Sequence, residues 1–275
     1  MELNLSHIHN AGFFSCCSIR LYHIINCINI NKKLPIIVNC TEMFKWYKLQ
    51  NYSNDITFEY FEHYDNVDHI EYNKDIRIDY HWDHQFIDYS TLEFMNIIPI
   101  IKKYFYPSSN IIHTITNFEK KYKLEYENIC VLFYRGNDKI RETTLCDYNE
   151  YITYANLIIH KNPTIQFLIQ SDETEFINVM TAAFPHNSFY FKDEIRHINK
   201  CNSTVDIVMQ HQNHIFSKYY LAITFIMSKC KYIICGSGNC SIWIVLYRGN
   251  TENVYQNLNN KWIINDSIQS NSLNS

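Results

Sequence analysis

The sequence is poor in residues that interrupt regular structure and in long apolar runs. Its 275 residues include five glycines and five prolines, although 47% are hydrophobic and 16% aromatic. No run approaches the roughly eighteen apolar residues of a membrane span, and the amino terminus lacks the charged start and apolar stretch of a signal peptide. We therefore expect a soluble cytoplasmic protein without a membrane span, long enough for one large core or two modest ones.

Positive charge is scarce as well. The 24 lysines and arginines are outnumbered by 28 acidic residues, which gives a net charge of −4. No block of basic residues is dense enough to follow a phosphate backbone. The composition therefore argues against nucleic acid as a partner.

Several short motifs are missing. The ten cysteines contain no C-x-x-C, and most fall in apolar runs, which indicates reduced, buried thiols. Neither the P-loop pattern nor Gly-x-Gly-x-x-Gly is present, so an ordinary P-loop kinase or dehydrogenase is not supported. The pairs His81 with His84 and His211 with His214 have metal-like spacing but no clear third ligand. We interpret them as ordinary solvated or core histidines and expect neither a metal nor a cofactor.

What the sequence does contain is an alternation of apolar runs and helical periodicities. In the first half, a strand over 3–9, a turn at Gly12, a helix capped by Ser15 and a strand over 35–39 predict a βαβ unit. A strand over 56–61 and helices over 92–104 and 110–122 follow, while the rest of 41–90 shows little period. The Pro107-Ser-Ser109 turn supplies a cap for the second of these helices.

The second half alternates more regularly. Strands are predicted over 129–134, 165–170, 188–191 and 232–235, and helices over 147–160, 173–183, 215–228 and 239–247. Such alternation is typical of a doubly wound parallel sheet. We therefore predict an α/β protein of two Rossmann-like lobes, with an amino-terminal lobe over 1–124, a carboxy-terminal lobe over 125–264 and a polar tail over 265–275.

The stretch Val131-Leu-Phe-Tyr-Arg-Gly-Asn-Asp-Lys139 stands out in this scaffold. A buried strand runs directly into a loop that carries Arg135, Asp138 and Lys139, followed by Arg141 and Glu142. In open α/β sheets, ligands bind beyond the carboxyl ends of the strands. A charged cluster at that point predicts a site for an anionic substrate, most simply a phosphate.

Two further strand ends carry suitable groups, Gln170-Ser-Asp-Glu173 and Gly236-Ser-Gly-Asn-Cys-Ser241. The small residues of the second loop let a ligand approach the backbone, and the helix behind it offers N–H groups to an anion. Because successive parallel strands end along one edge, we expect the three loops to form one diphosphate site. Simpler alternatives remain for single residues. Asp172 and Ser237 would then only cap helices, and Arg135 would only pair with Asp138 or Glu142.

The ordered set Arg135-Gly-Asn-Asp-Lys139, Ser171-Asp-Glu173 and Ser237-Gly-Asn239 resembles the GDP-fucose-dependent fucosyltransferases. These include the core α1,6 enzymes, the bacterial nodulation enzymes and, more remotely, the protein O-fucosyltransferases. The resemblance covers roughly residues 128–250, and the His9-Asn-Ala-Gly-Phe13 turn is loosely similar to the glycine turn before the first helix of such enzymes. It implies the two-lobed GT-B fold.

The resemblance also implies a function. The expected protein is a metal-independent, inverting glycosyltransferase that moves a sugar, fucose from GDP-fucose, to a hydroxyl of a glycan or protein acceptor. Arg135 would stabilise the leaving diphosphate with Lys139, and Glu142, or else Asp138, would accept the acceptor proton. The residues expected to bind the nucleotide-sugar donor are Tyr151, Asp172, Glu173, Ser237, Gly238, Asn239, Asn10 and Gly12.

Three positions depart from the family pattern. Gly136 replaces a second arginine that the family often has, and the residues that would read the nucleobase fall at Phe133 and Ala222. These departures favour diphosphate binding over the recognition of guanine. They also keep two other functions open, a catalytically degenerate nucleotide- or glycan-binding protein of the same fold and an unrelated Rossmann-like binding module. Similarly, Trp46, Tyr80 and Trp82 either pack or stack on an acceptor sugar.

Overall fold

The protein folds around a six-stranded sheet in a computed structural model that describes residues 1–5, 9, 11–62, 76 and 82–266. The strands are β1 Glu2–Asn4, β2 Ile37–Asn39, β3 Phe61–Glu62, β4 Tyr106–Pro107, β5 Ile129–Tyr134, β6 Gln166–Ser171, β7 Ser188–Phe189, β8 Tyr232–Gly236, β9 Val254–Leu258 and β10 Lys261–Asn265. The helices are α1 Phe13–Asn31, α2 Thr57–Tyr60, α3 Phe94–Tyr104, α4 Ser109–Tyr122, α5 Tyr148–Lys161, α6 Thr174–Ala183, α7 Val205–Val208, α8 Asn213–Lys229 and α9 Asn239–Arg248.

The main sheet has the strand order β10-β9-β8-β5-β6-β7, and every pair is parallel except β9 with β10. The chain moves outward from β5 to β6 and β7, and in the opposite direction from β8 to β9. Because crossovers are right-handed, the two directions place their helices on opposite faces. Accordingly, α5 packs on α6, while α8 packs on α9 and α4. The predicted α/β fold with a mostly parallel sheet is confirmed. The order in which strands are added to the sheet reverses between β5 and β8.

The central strands form where the sequence has continuous apolar runs. All six residues of β5 are buried, and five of the six in β6, as expected for strands covered by helices on both faces. The helices of this half begin and end within a few residues of the predicted bounds. The predicted cap of α4 is also present, since the Ser108 hydroxyl accepts a hydrogen bond from the Ile111 amide.

Two predictions in the first half are wrong in detail. The predicted strand over 56–61 is the short helix α2 followed by β3. Ile56 and Tyr60 are buried one helical turn apart, while Phe58 between them is 54% exposed, so the apolar positions follow a helix. In addition, α1 begins at Phe13 with Gly12 as its N-cap, and Ser15 lies inside the helix.

The hairpin of β9 and β10 was not predicted. It adds two strands to the edge of the sheet, joined by Asn259 and Asn260, both with positive φ. Two adjacent asparagines in the left-handed region are typical of a tight hairpin turn. Strand β9 has no continuous apolar run in the sequence, because two of its buried residues, Gln256 and Asn257, are polar.

The first half contains the predicted βαβ unit, with β1 and β2 parallel and α1 between them. A small antiparallel pair, β3 with β4, lies beside it. Helices α1 and α3 pack directly on α9, and one continuous hydrophobic cluster includes residues of both halves. The division into two lobes at residue 124 stays a prediction.

Helix α1 is long and apolar enough to cross a membrane by length and composition, but 61% of the relevant window is buried inside the protein. Its middle carries Arg20, which is fully buried. The Arg20 guanidinium donates to the Tyr104 carbonyl at 2.5 Å and lies 4.6 Å from the centre of the Phe105 ring. These contacts fix α1 against the end of α3.

All ten cysteines are free thiols, nine of them buried. Burial raises the pKa of several of these thiols, for example that of Cys40 to about 11 and that of Cys240 to about 11. Such thiols stay protonated at neutral pH and act as small apolar side chains. The prediction of buried core thiols is confirmed.

Candidate functional site

A cavity of about 220 Å³ opens at the carboxyl ends of β5 and β8. The strand order of the sheet reverses between β5 and β8, and such a point is the usual place for a ligand in an open α/β sheet. The loops after β5 and β8 form much of the wall, and the amino end of α1, with Trp46 and Gln85, closes it from the first half of the chain. The cavity is therefore built by both halves.

Arg135 lines this cavity and is held by two carboxylates. Its Nε donates to Asp172 Oδ2 at 2.9 Å, and its Nη2 donates to Asp138 Oδ1 at 3.2 Å. Asp172 also accepts a hydrogen bond from the Gly136 amide at 3.1 Å. Nη1 makes no hydrogen bond to a described residue, although the Tyr220 hydroxyl lies close enough to interact with the guanidinium.

These contacts decide two of the alternatives. Asp172 does not cap α6, because the N-cap is Glu173 and no side chain bonds there. Arg135 does pair with Asp138, as the simpler alternative proposed, but its side chain is only 23% exposed and it lines the cavity as well. The ion pairs thus orient the guanidinium in a partly buried position.

Lys139 and Glu142 form a close pair on the same wall. Lys139 Nζ donates to Glu142 Oε2 at 2.5 Å and to Gln85 Oε1 at 3.1 Å. The lysine is only 8% exposed. Burial lowers its pKa from the ordinary value, Glu142 opposes this shift, and Arg135 adds to it. A buried ammonium of this kind depends on its acceptors to stay charged.

The loop after β8 lines the cavity, but its first amides are already occupied. Ser237 N donates to the Asn257 carbonyl, Gly238 N to the Tyr89 hydroxyl at 3.0 Å, and Asn239 N to Gln85 Oε1 at 3.2 Å. Ser237 does not cap α9 either, since Gly238 is the N-cap and no side chain bonds there. Its hydroxyl donates to the Asn257 carbonyl instead. The loop shapes the cavity more than it supplies donors.

Donors come from the first turns of two helices that end at the cavity. Hydrogen bonding within α1 starts with Cys16 N to Gly12 O, and within α9 with Ile242 N to Gly238 O. The preceding amides therefore have no partner inside their helices. Neither first turn contains an acidic residue. Both helices direct the positive end of their dipole at the cavity, which favours an anion. The residues of these turns that line it are Phe13, Phe14, Ser15, Asn239, Cys240 and Ser241, and of their amides that of Asn239 is already bonded to Gln85.

The remaining predicted donor-binding residues are divided by the structure. Gly12 and Tyr151 line the cavity, and the Tyr151 hydroxyl donates to the Phe133 carbonyl at 3.0 Å. Glu173 is fully buried outside the lining, where it accepts a hydrogen bond from the Tyr148 hydroxyl at 2.6 Å. Asn10 lies outside the described residues. The roles of these residues as ligand contacts stay predictions.

The positions that depart from the family pattern also have distinct surroundings. Phe133 lines the cavity, while Ala222 is buried in α8 away from the lining. At Gly136, a Cβ atom would lie 1.6 Å from Glu173 Oε2. The buried carboxylate thus occupies the space that any side chain at this position would need. A second arginine does not fit in this chain.

Several lining residues were missed, among them Gln85, Asp206 and Tyr220. Asp206 accepts hydrogen bonds from Arg196 Nη2 at 2.7 Å and from the Tyr47 hydroxyl at 3.1 Å. No local motif marks these residues, because each reaches the cavity through contacts with distant parts of the chain. Trp46 lines the cavity, whereas Tyr80 and the side chain of Trp82 lie outside what the structure describes.

Of the two histidine pairs with metal-like spacing, the structure describes His84, His211 and His214. His84 Nε2 lies 3.0 Å from the Ser18 hydroxyl, and His214 Nδ1 lies 3.0 Å from the Tyr47 carbonyl; His81 is not among the described residues. Within the described residues, no group of three or more His, Cys, Asp or Glu is arranged to hold a metal ion.

Comparison with known proteins gives a loose likeness of fold. No family model and no curated protein matches the chain. Two solved structures of the NodZ α-1,6-fucosyltransferase, one soaked with GDP-fucose and one co-crystallised with GDP, are similar at 10% identity. The first match covers 60% of this chain and 52% of that chain with a TM-score of 0.37, and the second covers 57% and 46% with a TM-score of 0.34. The chain thus spans about half the length of these proteins, and a likeness this weak says nothing about its ligand.

Proposed function

We propose that the protein is a glycosyltransferase that transfers a sugar from a nucleoside-diphosphate sugar to a hydroxyl acceptor, with inversion and without a metal. The observation that carries the proposal is the convergence of two helix amino termini, Arg135 and the Lys139–Glu142 pair on one cavity. An anion-binding region beside a carboxylate is what such a reaction requires. The resemblance of the sequence motifs adds fucose from GDP-fucose as the first donor to test.

The residues have separate roles in the proposed reaction. As the anomeric carbon loses its diphosphate, negative charge grows on the leaving oxygen. Arg135 Nη1 and the first-turn amides of α1 and α9 would stabilise that charge more strongly in the transition state than in the ground state. Lys139 adds a buried positive charge beside them.

Glu142 is the proposed general base. Its Oε2 accepts from Lys139 and, at 3.5 Å, from Gln85 Nε2, whereas Oε1 makes no hydrogen bond to residues in the described ranges. In the proposed reaction that oxygen would take the proton of the attacking hydroxyl. Asp138 is less suited to this role because Arg135 holds it. A direct displacement of this kind inverts the anomeric centre. We also propose a cytoplasmic location, where reducing conditions keep thiols free.

A second candidate function is binding without catalysis. The specific observation in its favour is the occupied loop after β8, where Tyr89 and Gln85 already take the amides of Gly238 and Asn239. Together with the glycine at 136, this leaves a diphosphate fewer donors than the motif suggests. A nucleotide- or glycan-binding protein would tolerate that loss better than a transferase.

Isothermal titration with GDP, UDP and their sugars tests whether a nucleotide binds at all. If none of them binds, the transferase proposal fails. Turnover of GDP-fucose is then measured for the wild type and for Glu142→Gln, with Glu127→Gln outside the cavity as the matched control. Turnover that is lost in Glu142→Gln and kept in Glu127→Gln supports a transferase. Binding without turnover in the wild type supports the second function.

A further inference from the structure

Gln85 occupies an unusual position in the cavity wall. It belongs to a 3₁₀ helix, Trp82–Phe86, in the first half of the chain, yet its described side-chain contacts are with the second half. The side chain is 1% exposed. Its Oε1 accepts hydrogen bonds from Lys139 Nζ at 3.1 Å and from both the backbone and side-chain nitrogens of Asn239 at 3.2 Å. The amide nitrogen faces Glu142 Oε2 at 3.5 Å.

The orientation of this amide follows from its neighbours. Three donors lie at one end of the side chain and a carboxylate oxygen at the other. Turning the amide over would point its N–H groups at the Lys139 ammonium and its oxygen at the Glu142 carboxylate. Both new contacts would be repulsive in a region with little water. The dipole of Gln85 is therefore matched to a charged Lys139–Glu142 pair.

Lys139 needs this match because it is buried. The groups that face it are Glu142, Gln85, Arg135, Asp138 and the Phe86 ring. Glu142 and Gln85 accept its hydrogen bonds in the described part of the chain, while burial and Arg135 both act against its charge. Without the Gln85 carbonyl, Glu142 would be the remaining hydrogen-bond acceptor of the ammonium among the described residues, with Asp138 as a second negative charge nearby.

We propose that Gln85 is a positioning residue that keeps the Lys139–Glu142 pair charged and aligned at the cavity. The catalytic meaning of this inference rests on the proposed function, because Glu142 acts as the base there. Gln85 holds one oxygen of Glu142, directly and through Lys139, and the other oxygen makes no hydrogen bond to a described residue. It also couples the two halves of the chain, since it joins the 82–86 segment to the amino end of α9 through Asn239.

The test measures the protonation of Lys139 directly. Lysine labelled with ¹³C at Cε gives a signal that follows the charge of the amine, and the Lys139 signal is identified by its loss in Lys139→Arg. In Gln85→Met, which keeps the volume but removes the amide, the pKa of Lys139 falls below that of the wild type. In Gln85→Glu, which restores an acceptor with negative charge, it rises above that of Gln85→Met.

Gln256→Met is the matched control. Gln256 also bonds the 82–91 region, accepting from Tyr89 N at 3.0 Å and donating to the Ile87 carbonyl at 2.8 Å, but it contacts neither Lys139 nor Glu142. An unchanged Lys139 titration in Gln85→Met, or an equal change in Gln256→Met, would overturn the proposal. If Gln85→Met does not fold, Gln85→Glu decides alone, because a pKa of Lys139 that does not exceed the wild-type value contradicts the assigned contact.

A kinetic measurement separates this inference from the proposed function. With GDP-fucose as donor, Gln85→Met is expected to lower kcat about tenfold or more while KM changes less than about twofold. A change confined to KM would contradict a positioning role. If no nucleotide binds to the wild type, the proposed function fails, and the Lys139 titration still tests the placement of Gln85.

Discussion

Replacing Gly136 with alanine tests a crowded point beside the site. The new Cβ would lie 1.6 Å from Glu173 Oε2, 2.8 Å from Glu173 Cδ and 2.8 Å from Tyr134 Cε1. Glu173 is fully buried, so its carboxylate has to leave the Tyr148 hydroxyl, to which it is bonded at 2.6 Å, to make room. Overpacking typically costs about 1 to 3 kcal/mol, and losing a hydrogen bond to a charged group costs a similar amount.

We therefore expect Gly136→Ala to destabilise the protein by about 3 kcal/mol, which lowers Tm by about 6 to 12 °C in a chain of this size. Thermal unfolding followed by circular dichroism measures the change. Gly236→Ala is the matched control. The nearest atom to its Cβ would be the Tyr151 hydroxyl oxygen at 3.6 Å, which is an ordinary contact.

A double substitution identifies the cause. In a Glu173→Ala background, alanine at 136 still meets the Tyr134 ring but no longer meets the carboxylate. Most of the penalty of Gly136→Ala should therefore disappear in that background, with a coupling of about 2 kcal/mol between the two positions. Equal penalties in both backgrounds would refute the explanation. Glycine at 136 would then not be explained by Glu173.

Three further predictions concern the cavity. Arg135→Gln is expected to weaken GDP binding about tenfold to a hundredfold in a calorimetric titration, through loss of one charge-assisted hydrogen bond, while Arg141→Gln, exposed on the same loop, should leave the isotherm unchanged. Tyr89→Phe removes the hydroxyl bonded to Gly238 N, so GDP should bind more tightly even as Tm falls, and weaker binding would contradict an occupied amide. Burial lowers the pKa of Lys139 below its ordinary 10.5, so the unfolded chain binds the extra proton just below pH 10.5. The free energy of unfolding should therefore rise with pH in that window relative to Lys139→Met, and parallel pH curves would disprove it.

The parts of the fold that could be predicted are those whose signal is local. The strand β5 is a continuous apolar run, and Ser108 precedes a helical periodicity with a visible cap. The edge hairpin was missed because β9 carries two buried polar residues, Gln256 and Asn257, and the hydrogen-bond partners of the Gln256 side chain are distant in sequence. For example, Gln256 Nε2 donates to the Ile87 carbonyl. The Asn259-Asn260 dipeptide was the one local signal for this hairpin.

The site divides in the same way. A charged loop after a buried strand was enough to predict that Arg135 and Lys139 face one cavity with the loop after β8, because parallel strands end along one edge. The occupation of that loop by Gln85 and Tyr89 was not predictable, since both come from a segment without a clear period about 150 residues earlier in the chain. Chemistry that depends on such contacts requires the three-dimensional structure.

The occupied amides also bear on which function the protein has. A diphosphate that used Gly238 N would have to displace the Tyr89 hydroxyl, which lies 3.0 Å from that amide and is fully buried. Each buried polar group left without a partner costs about 1 to 3 kcal/mol, so displacing both Tyr89 and Gln85 would consume much of the energy of binding a nucleotide. A ligand held by Arg135 Nη1, the first turn of α1 and the amides of Cys240 and Ser241 in α9 avoids that cost. Tight GDP binding with the wild-type tyrosine in place would therefore locate the phosphates at the helix ends rather than on the loop.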